Sequence, residues 1–390
     1  MLRRVCLILA LVIFCGILAG CYDRREVDDL AYATAIGLDK GENNFLKMTL
    51  QFVVPAAIGG GSEGGGGGEK ATSTTTMETP TIYSGFNMIN TYISKQMNLS
   101  HAKVLVFSEE LAREGIHDYI HAVMRGREFR PNMYVVVSKS SAEDYIRSAQ
   151  PVLEVNPAKF YEMNYNAHEY TAFTADTRLI TYYLDAESSA GQAVATLAGV
   201  SRYKSSEDFS TEYSTYKEKG RPYPFEGDYR AGNLPKAGES ESEIMGLAVF
   251  DGEKMVGELD GEETTYYNIV RGELNYAYTT FPDPKVKDKF VILNVLQARK
   301  PAYKVEMVNG KPKIDVKIRL EADILSIQSG INYEDPKNIE ILQKSTEEFL
   351  KEGILKFLRK TSEEFGSDIC MFGKTIKKTF ITWKEWEDFN

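Results

Sequence analysis

The sequence predicts an α+β chain of several units, with mixed and antiparallel sheets packed by helices. Its C-terminal unit is expected to pair an antiparallel sheet with one long helix. Three observations carry this reading. Ile314, Val316, Ile318, Leu320, Ala322 and Ile324 alternate at period two, the spacing of a strand with one face toward a core. Tyr303, Val305 and Met307 do the same on the other side of Asn309-Gly310, a hairpin turn pair, and one face of this ribbon is expected to be buried. From Asn338 to Lys360 the residues Ile341, Leu342, Phe349, Leu350, Ile354, Phe357 and Leu358 fall on one stripe of a helix. Between Tyr83 and Ala149, short apolar strands alternate with helical spacing.

Taken in order, Arg3 and Arg4 precede an apolar run from Val5 to Leu18, which leads through Ala19 and Gly20 into Cys21. The run is 14 residues long, short of the roughly 20 that a spanning helix needs, and it suits the apolar part of a secretory signal. Ala19 and Gly20 are small enough for a peptidase groove, and Cys21 brings the thiol that accepts lipid. Residues 1–20 are therefore expected to be a lipoprotein signal peptide and Cys21 the lipidation site; an uncleaved signal anchor is the alternative. Leu30 to Leu38 and Phe45 to Val54 read as a hairpin around Asp39–Asn44. Pro55 to Thr79 is a loop whose centre, Gly59 to Gly68, is nearly all glycine.

Tyr83 to Met97 has helical spacing. Ala102 to Phe107 is a short strand, and Ser108-Glu109-Glu110 offers a cap to the next helix. Ile116 to Met124 reads as helix, Met133 to Val137 as strand and Ser141 to Ala149 as helix. Phe160 to Arg202 reads as mostly helical, and Ser205 to Ser240 is rich in Ser, Gly, Pro and charge. Ile244–Phe250 and Lys254–Leu259 flank Asp251-Gly252, another hairpin signal, and Phe290 to Leu296 is a strand. The expected organisation is thus a signal peptide at 1–20 and an N-terminal α/β or α+β unit at 21–150. A small, mostly helical unit follows at 151–204, a linker or long loop at 205–240, and the sheet-plus-helix unit at 241–390.

Composition excludes several classes. The chain has 390 residues, 43% of them hydrophobic and 11% aromatic, which is enough to build a folded core. Its formal charge is −10, and losing Arg3 and Arg4 with a leader would leave 44 basic against 56 acidic residues. Such an acidic body argues against nucleic acid as a partner, because that partner rewards clustered Lys and Arg. Of the four cysteines, Cys6 and Cys15 would leave with the signal and Cys21 would carry lipid. Cys370 is then left without an intramolecular disulfide partner.

Candidate chemistry is sparse. Gly373-Lys374-Thr375 looks like the end of a phosphate-binding loop, but the glycine required five positions earlier is Asp368. His117 and His121 share one helical face, yet the zinc-protease pattern needs Glu at 118, where Asp118 stands. They are read as surface or partly packed histidines, and His101 and His168 are isolated. The acids Glu253, Glu258, Glu262, Glu347, Glu348, Glu363 and Glu364 are read as solvated faces of an acidic protein. No serine sits in a Gly-x-Ser-x-Gly elbow, and Cys370 lies among apolar neighbours as an inert thiol. No catalytic residue, cofactor or metal is expected.

Three stretches in order resemble the Ger(x)C family of spore germination lipoproteins, the C subunits of germinant receptors. The first is Gly20-Cys21-Tyr22-Asp23-Arg24-Arg25-Glu26 followed by Leu30 to Asp39, which ends in Gly37-Leu38-Asp39; Tyr22 replaces the tryptophan usual in the family. The second runs from Leu99-Ser100-His101-Ala102-Lys103-Val104 through Ser108-Glu109-Glu110-Leu111-Ala112 and Gly115 to Arg125–Arg130. The third combines Gly246–Phe250, Met255-Val256-Gly257, Asp368-Ile369, Phe372-Gly373, Trp383 and Trp386. The resemblance implies three α+β domains without enzymatic activity. It implies a diacylglyceryl anchor on Cys21 at the outer face of the inner spore membrane, and two integral membrane partners, the A-type and B-type subunits. Two other readings compete. A solute-binding lipoprotein of an ABC importer should show two lobes with parallel sheets, whereas residues 244–324 read as antiparallel. A lipid-anchored hydrolase lacks a triad or metal cluster in the sequence.

Overall fold

The computed structural model describes residues 1, 3–9, 26–42, 45–55, 71–203, 205, 219 and 224–389. Residues 3–9 are helical. Ala19, Gly20 and Cys21, the Gly59–Gly68 run and, within the 205–240 segment, residues 206–218 and 220–223 lie outside the described residues.

A single turn at Val27–Asp29 leads into β1 (Leu30–Lys40), which pairs antiparallel with β2 (Leu46–Val53); β2 in turn pairs antiparallel with β3 (Thr72–Thr79). Helix α1 (Ile82–Ile89) begins at Thr81, whose hydroxyl accepts the Ser84 N–H at 3.2 Å. It is shorter than its apolar spacing predicts. The Asn90 side chain accepts the Met97 N–H at 2.9 Å, turning the chain into β4 (Gln96–Asn98), parallel beside β1. Then come β5 (Val104–Ser108), α2 (Glu109–Glu114), α3 (His117–Arg125), β6 (Tyr134–Ser138), α4 (Ala142–Ser148), α5 (Pro157–Tyr165), α6 (Leu179–Ala186) and β7 (Val194–Val200). The hairpin of β8 (Ser242–Asp251) and β9 (Lys254–Leu259) follows.

These strands form one nine-stranded mixed sheet in the order β3-β2-β1-β5-β6-β7-β8-β9, with β4 beside β1. Its centre, β1-β5-β6-β7, is parallel and its flanks are antiparallel. The sheet therefore runs on past 150 and past 240, and β8 and β9 complete it. Strand β7 corrects the helical reading of the segment before Arg202. Val194, Ala195, Leu197 and Ala198 are all buried, so the strand lacks the polar alternation that betrays a one-sided strand.

Both faces of the parallel centre are covered, which follows from the pleat. Ile36, Leu38, Leu105, Phe107, Val135 and Val137 point to one side, where Phe86, Leu111, Ile120, Val123, Leu179 and Tyr182 meet them. Ala35, Val104, Val106, Tyr134 and Val136 point to the other, beneath Ala142, Tyr145, Ile146, Tyr161 and Tyr165. The Tyr145 and Tyr165 hydroxyls bond each other at 2.7 Å, so neither is stranded in this dry layer.

The second sheet has the order β10-β11-β12. Helix α7 (Gly261–Arg271) leads into β10 (Tyr276–Pro282), and β11 (Phe290–Val308) and β12 (Lys311–Ile327) form a long ribbon. Its turn residues Asn309 and Gly310 both have positive φ, 52° and 75°, as a two-residue hairpin of this hand requires. Helix α8 (Pro336–Arg359) lies against this unit through Leu342 and Phe357. The alternation in β12 is as expected, but the burial is not. Ile314, Val316, Ile318 and Leu320 are only half-buried, because α8 and the C-terminal helices cover the ribbon in part. Short helices α9 (Gly373–Ile376) and α10 (Trp383–Phe389) close the chain, and Ile376 and the buried Trp386 meet Val305, Ile314 and Phe380.

Two glycines allow a direct test of this architecture. Gly246 in β8 has φ +92°, and a Cβ there would lie 2.3 Å from the Leu259 carbonyl oxygen; Gly252 has φ +56° but faces open space. Gly246→Ala is expected to lower stability by about 2–4 kcal/mol, through strain plus the backbone clash. Gly252→Ala should cost only about 1 kcal/mol, the left-handed penalty alone. Urea unfolding of the full chain measures both, and equal losses would contradict the β8–β9 register.

Candidate functional site

Several glycines and aspartates of the stretches singled out in the sequence pack and cap neighbouring elements. Gly37 in β1 lets α4 close onto the sheet, since a Cβ there would sit 2.7 Å from Ile146 Cδ1 and 3.1 Å from Ala142 Cβ. Two residues on, the Asp39 carboxylate accepts the Ala142 and Glu143 N–H groups at 2.7 and 3.1 Å, and Ser141 accepts the Asp144 N–H at 2.9 Å. The first turn of α4 is thereby satisfied from a neighbouring strand as well as from its own cap. Burial raises the Asp39 pKa, against the pull of those N–H groups.

The third stretch behaves alike. The ring of Phe365 lies over Gly257, where a Cβ would come within 2.3 Å of it. The Asp368 carboxylate accepts the Phe372 and Gly373 N–H groups at 3.0 and 2.7 Å, while its carbonyl accepts the Gln192 N–H at 3.0 Å. The donors that a phosphate loop would offer to a ligand are thus taken by Asp368, and Lys374 pairs with Asp185 at 3.3 Å. A Cβ on Gly373 would lie 2.8 Å from the Ala190 carbonyl oxygen, which fixes how closely the C-terminal segment approaches the loop before β7. Cys370 is buried, and burial pushes its thiol pKa well up, away from reactivity.

Histidines 101 and 168 stand apart. His101 meets the Tyr32 ring edge-on at 4.8 Å, and His168 Nδ1 lies 3.0 Å from the Tyr165 carbonyl. His117 and His121, by contrast, converge on Glu187 at the end of α6, at 3.5 and 2.7 Å from Nε2 to Oε1. Glu347, Glu348, Glu363, Glu364 and Glu253 are exposed. Glu258 is not a solvated acid, because Lys139 and Arg113 reach it.

The densest charge cluster lies where α7 leaves β9. Asp260 caps the helix, accepting the Glu263 N–H at 2.9 Å, while Glu263 accepts the Asp260 N–H at 3.0 Å. Lys219 Nζ reaches Asp228 at 2.7 Å, Glu262 at 2.7 Å and Asp260 at 3.0 Å, and Lys360 Nζ binds Glu263 at 2.7 Å. Burial pushes the Asp260 carboxyl up to about 6, Glu263 adds repulsion, and Lys219 opposes both. Beside this cluster, a cavity of about 30 Å³ lined by Phe225, Glu262, Tyr266 and Phe349 has room for little more than water. A wider, more polar recess of about 280 Å³ lies among His168, Asp176, Thr181, Asn268 and Glu273. Among the described residues no helix is long and apolar enough to cross a membrane.

Removing the shared ammonium exposes the cost of this cluster. Lys219→Met should destabilise the chain by about 3 kcal/mol at pH 7, because buried carboxylates lose their counter-charge. Asp260 titrates near 6 in the fold against an ordinary 3.8, so its ionised form is the disfavoured one. That penalty is present above about pH 6 and is relieved as pH falls toward 4. The deficit of the variant should therefore shrink from pH 7 to pH 5 in urea unfolding, and a deficit that grows would refute the assignment.

With this geometry in place, the likenesses to known proteins become specific. Residues 23–200 match the family model described as "Spore germination protein N-terminal domain", and residues 245–390 match "Spore germination B3/GerAC like, C-terminal". Spore germination protein KC of Bacillus subtilis (strain 168) is 24% identical over 396 residues, covering 99% of this chain and 90% of that protein. The crystal structure of the GerBC protein shares the fold at a TM-score of 0.50 and 15% identity, covering 90% of this chain and 89% of that one. The two matched segments meet inside the large sheet, at the β7–β8 ladder, and together they cover well over half of the chain: it belongs to the GerAC-like family of spore germination proteins.

Proposed function

We propose that this chain is the lipid-anchored, non-enzymatic C subunit of a spore nutrient germinant receptor and is required for germination. The observation that carries the reading is the presence of both family segments, in order, behind an apolar run at Val5–Leu18 that leads through Ala19 and Gly20 into Cys21. The site geometry supports it. Gly37, Asp39, Gly257, Asp368 and Gly373 hold elements together, and their polar groups are committed to backbone partners. A protein whose distinctive residues build shape acts through its surface, here toward two integral membrane subunits of A and B type. The family matches leave the ABC-importer reading without support.

Cys21 would carry the diacylglyceryl group and hold the body on the outer face of the inner spore membrane. β1 opens at Leu30, nine residues after Cys21, so the tether reaches at most about 30 Å. The sheet end where β1 and β4 begin would stay close to the headgroups. Two acyl chains, at about 0.8 kcal/mol per buried methylene, give a stable anchor where one would be marginal.

The test is made in the native spore former with paralogous genes removed. Cys21→Ala should abolish incorporation of labelled palmitate and reduce nutrient-triggered germination to the level of the gene deletion. Undiminished labelling would refute the anchor. Normal nutrient response in the deletion strain would refute the receptor role.

A further inference from the structure

We propose that His117, His121 and Glu187 form a binding site for one divalent transition-metal ion of the zinc or nickel class. The inference does not rest on the receptor reading. His117 opens α3 and His121 follows one turn later, so both imidazoles leave the same face. Their rings lie 4.3 Å apart. Glu187 comes from the C-terminal end of α6, across the packing contact between the two helices, and 66 residues further along the chain than His121. Its Oε1 is 2.7 Å from His121 Nε2 and 3.5 Å from His117 Nε2, and the three ligand atoms lie within 4.8 Å of one another.

Tetrahedral zinc at about 2.0–2.1 Å from each ligand sets its ligand atoms roughly 3.3 Å apart. Two edges of the triangle, at 2.7 and 3.5 Å, bracket that separation and the third is no longer than 4.8 Å, so side-chain rotations bring the three ligand atoms around one ion. Two imidazoles and one carboxylate select transition ions over Ca²⁺ and Mg²⁺, which demand oxygen. The setting favours a cation in other ways. α6 carries no basic residue in its last turn, so the carbonyls at that helix end add partial negative charge. Tyr183, one turn before Glu187, stands edge-on to His121 at 5.3 Å and steadies its ring. The side chains are 29%, 27% and 40% exposed for His117, His121 and Glu187, which leaves an entry path and room for water to fill the remaining coordination positions.

The zinc-protease pattern needs Glu at 118 as its general base, and Asp118 stands there; Glu187, from a different helix, is placed as a ligand and supplies no such base. A bound ion would clip α3 to α6. The loop after Glu187 supports the C-terminal segment, through Gln192 N–H to the Asp368 carbonyl at 3.0 Å and Lys377 Nζ to Ser189 Oγ at 3.2 Å. The ion would therefore stiffen the ledge on which that segment rests.

The test uses the full chain, carrying a histidine-free tag, in mild detergent and stripped of metal. Zn²⁺ is titrated against a chromogenic chelator, and melting temperature is followed with Zn²⁺, Mg²⁺ or no ion. One equivalent of Zn²⁺ should bind and raise the melting temperature, whereas Mg²⁺ should not. His121→Ala and Glu187→Gln should each weaken binding by roughly tenfold or more and abolish the rise. His101→Ala and His168→Ala should leave both unchanged. Glu187→Gln keeps an acceptor for the histidines, so it guards against a loss caused by misfolding. A melting temperature that Zn²⁺ does not move, affinity unchanged in either ligand variant, or an equal response to Mg²⁺ overturns the proposal.

Discussion

The antiparallel ladder between β7 and β8 is the joint on which the rest of the molecule depends. It pairs Val194 with Val249 and Val200 with Ser242, and so sews the two family segments into one sheet. Without it, the parallel centre would end in a bare edge at β7, a row of unpaired backbone groups that is costly to leave in a core and prone to mispairing. The hairpin β8–β9 caps that edge, and α7 leads directly from β9 into the second sheet. The two halves therefore share hydrogen bonds as well as an apolar interface, and they are expected to unfold cooperatively.

This joint also shows why some of the fold was legible in the sequence and some was not. The hairpins at Asp251-Gly252 and Asn309-Gly310 could be read because their turns need residues that tolerate positive φ. The cap at Ser108 was legible for a different local reason, a hydroxyl able to accept a first-turn N–H. Strand β7 was not, because a strand covered on both faces carries no period-two signal, and Val194 to Val200 is apolar or small throughout. The half-burial of β12 depends on how far α8 and α10 reach across it, which periodicity does not encode. The site was legible in the same partial way. The convergence of His117 and His121 is visible in their spacing, but Glu187 comes from another helix and only the fold reveals it.

The residues that carry the family resemblance share one property. Gly37, Gly257 and Gly373 mark places where a side chain would collide with a packed neighbour, while Asp39 satisfies a helix start from a neighbouring strand and Asp368 one just ahead of it in the chain. A motif made of close approaches and caps preserves a shape. Catalytic motifs instead leave polar groups aimed at empty space, poised for a substrate. The buried charges around Lys219 belong to the first kind as well, since each oppositely charged group is held by a neighbour.

The Asp368 carboxylate seated on the Phe372 and Gly373 amides has one more consequence. A helix start of this kind ordinarily competes for whatever anion the surrounding fluid supplies. Here the chain provides its own, covalently tethered and always within reach. Swings in dissolved phosphate or nucleotide should leave this corner indifferent, because its amides are already taken.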